Sequence, residues 1–186
     1  MKNIYYLIVL FFLTASCGSG RGDNQSAGSS PDDTGEVSVG IDIGDRAPEL
    51  VFPAPDGDKI ALSSLRGMMV LVDFWASWCS PCRVENPNLV RTYKKYRDKE
   101  FVNGSGFTIY GVSLDTEKEA WLNAIEKDEL IWESHVSDLR GWKSVPAAQY
   151  GVMAIPMNFL INGDGIIVAK NLRGDYLENK LKELAK

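Results

Sequence analysis

Two cysteines, Cys79 and Cys82, are the residues of this chain best suited to do chemistry. They enclose Ser80 and Pro81 and follow directly on Trp78. At the start of a helix, a Cys-x-x-Cys spacing brings both sulfurs within bonding distance across one turn. Pro81 suits such a first turn, because an amide proton missing there leaves no hydrogen bond unmade. Cys79 would sit at the helix N-terminus, whose partial positive charge stabilises a thiolate, the form that attacks disulfides. The stretch reads as a reversible dithiol/disulfide centre. The alternatives are a structural disulfide or half of a zinc site. A four-ligand zinc site would need a second Cys/His pair, and the chain has only one further cysteine and one histidine, His135.

The elements around this pair follow from pattern. Val70 to Trp75 is a short apolar run rich in β-branched and aromatic residues, suited to a buried strand and interrupted by the charge of Asp73. From Pro81 to about Asp98 the spacing of Leu89, Val90, Tyr93 and Tyr96 predicts a helix, which Pro87 should kink. Upstream, Glu49 to Phe52 and Lys59 to Leu62 flank the turn signal Pro55-Asp56-Gly57-Asp58, giving a hairpin. Ser63 to Gly67 is read as one helical turn. Downstream, Phe107 to Leu114 is a second buried strand, and Thr116 to Lys127 is an amphipathic helix. Strand, helix and strand in this order imply a parallel pair with a right-handed crossover. Leu130 to Val136 is read as a further strand and Ala147 to Tyr150 as a short helix. Asn158 to Ile161 and Ile166 to Ala169 flank Asn162-Gly163-Asp164-Gly165, a hairpin turn, and Tyr176 to Leu184 is a final amphipathic helix. Trp75 is expected in the core, and Trp121, Trp132 and Trp142 as packing residues. His135, with no partner spacing for a metal or a triad, is read as structural or surface. Asn103-Gly104-Ser105 has the form of a glycosylation sequon.

Composition bounds the rest. The 186 residues are 45% hydrophobic and 24% charged, which suits one globular domain with appendages. A formal net charge of −5 argues against a nucleic-acid partner. Lys2 followed by the apolar run Ile4 to Leu13 has the form of a signal peptide, expected over residues 1–16. Residues 17–40, rich in Gly, Ser and Asp, are expected to form a flexible tether, and residues 41–186 the folded domain. Leu13-Thr14-Ala15-Ser16-Cys17 resembles a bacterial lipobox, which implies lipidation of Cys17; ordinary cleavage with Cys17 incidental is the alternative. With Cys17 set aside, no cysteine is left for a separate structural disulfide.

The run Val72-Asp73-Phe74-Trp75-Ala76-Ser77-Trp78-Cys79-Ser80-Pro81-Cys82 resembles the active-site segment of the thioredoxin superfamily. Glu85 and Pro87 are similar to positions in the TlpA/ResA-type exported thiol–disulfide oxidoreductases, and Ile155-Pro156 resembles that family's cis-proline dipeptide. The likeness runs from about Ile43 to Leu184. It implies an α/β thioredoxin-like fold: a central mixed β-sheet flanked by helices, with an N-terminal β-hairpin and a central αβ insert. It implies Cys79 as nucleophile and Cys82 as resolving thiol of a redox-active disulfide. Asp73 takes the place of a buried carboxylate whose raised pKa suits it to accept the Cys82 proton, and Glu85 matches an acid of the TlpA/ResA branch. A solvated helix residue is the plainer reading of Glu85, and a strand-edge carboxylate that of Asp73. Trp78 and Pro81 would form an apolar rim, and Ile155 with Pro156 would present backbone to an extended substrate; a trans turn proline is the alternative.

The implied protein is lipid-anchored on the periplasmic side of the cell envelope and has no cofactor and no metal. It would reduce disulfides of protein substrates, among them apo-cytochrome c in cytochrome c maturation, with electrons from a membrane donor of the DsbD kind. Two rivals stand beside it, and an oxidase or isomerase direction for the same dithiol is a third possibility. A thiol peroxidase of peroxiredoxin-like type would need a Pro-x-x-x-Thr/Ser-x-x-Cys pattern, which is absent here. A copper metallochaperone would use Cys79, Cys82 and His135, although the copper-delivery relatives space their cysteines by three residues rather than two.

Overall fold

The computed structural model describes residues 37–186; the expected signal segment, Cys17 and most of the expected tether lie outside them. The described chain begins with a small loop in which Ser38 and Gly40 pair through their backbones with Arg46. Strands β1 (Val51–Pro53) and β2 (Lys59–Ala61) form the expected antiparallel hairpin. A 3₁₀ turn over Leu62–Leu65 leads into β3 (Met69–Trp75). Helix α1 (Ser80–Tyr96) follows, and continues unbroken past Pro87. Two short strands, β4 (Glu100–Phe101) and β5 (Gly104–Ser105), make a hairpin over the sequon-like triplet. Next come β6 (Phe107–Ser113), α2 (Lys118–Lys127) and β7 (His135–Val136). The run Leu130 to Ser134, expected to be strand, is irregular, and only His135 and Val136 pair with β6. A 3₁₀ turn over Gly141–Lys143, α3 (Val145–Gln149), β8 (Met157–Ile161), β9 (Ile167–Lys170) and α4 (Asp175–Leu184) complete the chain.

The central sheet has the order β7-β6-β3-β8-β9. β3 runs parallel to β6 and antiparallel to β8, so the sheet is mixed. Every residue of β3 and β6 is buried, the pattern of strands covered on both faces. That explains why Val70 to Trp75 carries almost no alternation. Helices supply the cover. α1 buries Leu89, Val90 and Tyr96; α2 buries Trp121 and Ala124; α4 buries Leu177 and Leu181. Truncating a side chain such as Trp121, 1% exposed, to alanine would cost about 3–5 kcal/mol.

The end of the sheet where β3 begins is closed by backbone against backbone. Gly67 donates its N–H to the Gly163 carbonyl, and Gly163 donates to Asn103. A Cβ on Gly163 would lie 2.7 Å from the Asn103 carbonyl oxygen, and one on Gly104 would lie 3.2 Å from that of Gly67. A side chain at Gly163 is excluded there by contact, and one at Gly104 would press on the backbone entering β3. Among the described residues no helix is long and apolar enough to cross a membrane.

Candidate functional site

The opposite end of β3 carries the cysteines. β3 is held in mid-sheet by β6 and β8, so its exit at Trp75 is fixed, and Ala76-Ser77-Trp78 turns directly into α1. Cys79 is the N-cap residue of α1 and has extended backbone, and Pro81 stands in the first turn as its missing N–H allows. Cys79 and Cys82 are joined by a disulfide with Cα atoms 5.3 Å apart. The Cys79 Sγ accepts a hydrogen bond from the Cys82 backbone N–H at 3.2 Å. Both cysteines are largely covered, Cys79 at 4% exposed and Cys82 at 1%. Among the described residues no other cysteine is present, so this is the one dithiol of the folded unit.

The turn before Cys79 is tied down from two sides. The Asp115 carboxylate, fully buried after β6, accepts from Ser77 N–H at 3.0 Å, Ser77 Oγ at 2.5 Å and Ser113 Oγ at 2.7 Å. Arg83, one residue past Cys82, donates to the Ser77 carbonyl at 3.1 Å and forms a two-pronged ion pair with Asp128 at the end of α2. Asn86 donates to the same carboxylate at 2.6 Å. Hydrogen bonds to a charged partner are roughly twice as strong as neutral ones, so this mesh sets the cysteine turn firmly on the fold.

Asp73 is buried in β3, opposite Gly111 of β6 and Asn158 of β8. Burial pushes its carboxyl up to about 7, and the neighbouring charge of Glu85 adds to the rise; the Asn158 amide and the Arg173 guanidinium oppose it. A carboxyl titrating near neutrality can take up and give back a proton. Glu85 is half-buried on α1 and is not a free surface residue: its Oε1 accepts from Asn88 Nδ2 and from the Gly174 N–H, each at 2.7 Å. Arg173, beside Gly174, donates to the Pro156 carbonyl. The Ile155–Pro156 bond is cis, with Pro156 buried and Ile155 half-buried. Arg173 thus links the surroundings of Asp73 and Glu85 to the cis-proline. Neither Arg173 nor Asn158 stands in a recognisable motif.

Trp78 and Pro81 are exposed on either side of Cys79 in the chain. Trp75, Trp121 and Trp132 are buried, but Trp142 corrects its expected packing role: it is 54% exposed and its ring centre is 6.1 Å from that of Trp78. His135 is structural. Its Nε2 meets the Leu130 carbonyl oxygen at 3.1 Å, its ring stacks on Trp132, and burial pushes its pKa down to about 4. Among the described residues no three His, Cys, Asp or Glu side chains converge in a way that could hold a metal ion.

Comparison with known proteins agrees with this geometry. The AhpC/TSA family matches residues 43–170. The chain is 30% identical over 146 residues, 78% of either sequence, to the thiol-disulfide oxidoreductase ResA of Bacillus thuringiensis subsp. konkukian. It is 33% identical over 129 residues, 69% of this chain and 71% of the relative, to the thioredoxin-like protein YneN of Bacillus subtilis. Among solved structures, the thioredoxin domain of a thiol-disulfide oxidoreductase from Bacteroides vulgatus superposes with a TM-score of 0.69 at 38% identity, covering 77% of this chain and 97% of that one. With its bonded Cys79–Cys82 pair on a thioredoxin-like sheet, the chain belongs to the AhpC/TSA family, among its ResA-type thiol–disulfide oxidoreductases.

Proposed function

We propose that this protein works outside the cytoplasm, held to a membrane by lipid on Cys17, and reduces disulfides of client proteins through Cys79 and Cys82. Residues 1–16 would be its signal peptide, 17–40 its anchor and tether, and 41–186 its catalytic domain. The observation that carries the reading is the cysteine pair bonded across the first turn of α1, with Asp73 buried in the strand that leads into it. In the reduced protein the helix N-terminus favours the Cys79 thiolate. This thiolate attacks one client sulfur, forms a mixed disulfide and expels the other client sulfur as a thiolate. Cys82 gives its proton to Asp73, attacks the Cys79 sulfur and releases the second client thiolate. Two electrons have then passed to the client, and the oxidised pair must be recharged by a membrane dithiol donor of the DsbD kind.

Glu85 acts on the charge state of Asp73. Trp78, Pro81, Ile155 and Pro156 form the surface on which the client lies. The haem-binding cysteines of an apo-cytochrome c are one client class suggested by the resemblance.

The test is twofold. Cys82→Ser should accumulate a mixed disulfide between Cys79 and a disulfide-bearing client, while Cys79→Ser should accumulate none. Equilibration with glutathione or dithiothreitol should place the couple toward the thioredoxin end of the range, about −270 mV. A couple near −120 mV would turn the assignment to an oxidase, and no reversible couple would sink it.

A further inference from the structure

Trp78, which precedes Cys79 directly, helps to line a cleft of about 550 Å³ with Leu114, Thr116, Arg140, Trp142 and Lys143. Trp78 and Trp142 are 53% and 54% exposed and lean on each other with ring planes 54° apart, so one continuous apolar surface of two indoles faces water along a shallow cleft. Arg140 and Lys143 are exposed, and among the described residues neither forms an ion pair. Their positions are set by the backbone. Gly141 has φ +57, and a Cβ there would come within 3.1 Å of Thr116 Cγ2, so glycine favours the close approach of this loop to the segment after β6. The Asp138 carboxylate accepts the N–H groups of Arg140 at 3.2 Å and Val145 at 2.8 Å, closing the loop on itself. Two indoles and two cations are therefore presented together by a pre-formed frame.

We propose that this cleft binds the client segment next to the reactive cysteine and selects for acidic residues flanking an apolar side chain. The proposal rests on the client-reducing function above and names the chemistry of the client. The exposed charges of Arg140 and Lys143, unpaired among the described residues, attract an acidic segment to this cleft, whose Trp78 is next in the chain to Cys79. An anionic membrane offers the same charge, but a lipid surface lying on this face would cover the disulfide. A shallow cleft with an aromatic wall suits a polypeptide.

The probes are two peptides, each with one cysteine held as a mixed disulfide with 2-mercaptoethanol, flanked either by Glu-Leu-Glu or by Gln-Leu-Gln. The pre-reduced full-length chain should release the acidic peptide about five-fold faster, the scale expected of two partly exposed charge contacts. That ratio should fall toward one in the Arg140→Gln/Lys143→Gln variant and in high salt, and persist in Arg140→Lys/Lys143→Arg. A ratio of one in the wild type, or one undiminished by the double substitution, overturns the proposal. Phosphatidylglycerol vesicles that shift the tryptophan emission of the wild type but not of the double variant, alongside a ratio of one, would reassign the cleft to a lipid surface. If the wild type opens neither peptide, the redox reading itself fails and this one falls with it.

Discussion

Burial moves two side chains of this sheet in opposite directions. Asp73 rises from its ordinary 3.8 to about 7, while His135 falls from 6.5 to about 4. Between these limits the folded state keeps a proton on Asp73 that the unfolded chain has lost, so this group makes stability fall as pH rises. His135 does the reverse: the unfolded chain carries the extra proton, and stability rises with pH. Over roughly pH 4.5 to 6.5 the two slopes oppose and largely cancel. Removing either group should unmask the other. Relative to wild type, oxidised Asp73→Asn should gain about 2–3 kcal/mol of stability over that interval, and His135→Gln should lose a comparable amount. Denaturant midpoints at the two pH values read this as a difference of slopes, which a uniform loss of stability leaves untouched. Three parallel profiles would refute the burial assignments.

Among the elements, the turn from β3 into α1 depends on a carboxylate from the end of the neighbouring strand. Asp115→Ala would leave the Ser77 N–H and two hydroxyls without their buried acceptor, at a cost of about 3 kcal/mol. Urea unfolding should show that loss, and Asp115→Asn, which keeps one acceptor oxygen, should lose less. A wild-type midpoint in Asp115→Ala would mean that the tether carries no weight. Asp115 also marks what a sequence reveals and what it hides. β3, α1 and the β8–β9 hairpin are legible because their signals are local: an apolar run, a Cys-x-x-Cys with Pro in the first turn, an Asn-Gly-Asp-Gly turn. Cys79 and Cys82 are legible from their spacing, and Asp73 and Pro156 are singled out through resemblance. Asp115, Arg173 and Asn158 act through partners distant in sequence, and nothing in their own neighbourhood announces them. Leu130 to Ser134 has strand composition, but its backbone first continues the end of α2, with Leu130 N–H bonded to the Ile125 carbonyl, and pairing waits until His135. The β4–β5 hairpin is too short to show alternation, although Asn103-Gly104 carries the turn chemistry. Trp142 looks like a packing residue by type, yet the left-handed Gly141 turns it outward toward Trp78.

At the scale of the whole molecule, the proposed anchor separates location from catalysis. Cys17→Ser should move the protein from the membrane to the soluble fraction while the purified chain keeps its disulfide-reducing rate; fractionation and a rate measurement check both halves, and retention of the variant on membranes would remove the lipid from the scheme. The folded unit is itself divided between two ends. At one, the cysteines are presented at the start of α1 and the cis-proline and the cationic cleft by loops. At the other, Gly163 is held to glycine by backbone contact, and a Cβ on Gly104 would press on the Gly67 carbonyl. The two ends therefore answer to different pressures as the sequence drifts. Invariance of those glycines across relatives would record a steric ceiling rather than a shared client. A map of conservation on this fold would highlight two poles, and only one of them would be informative about chemistry.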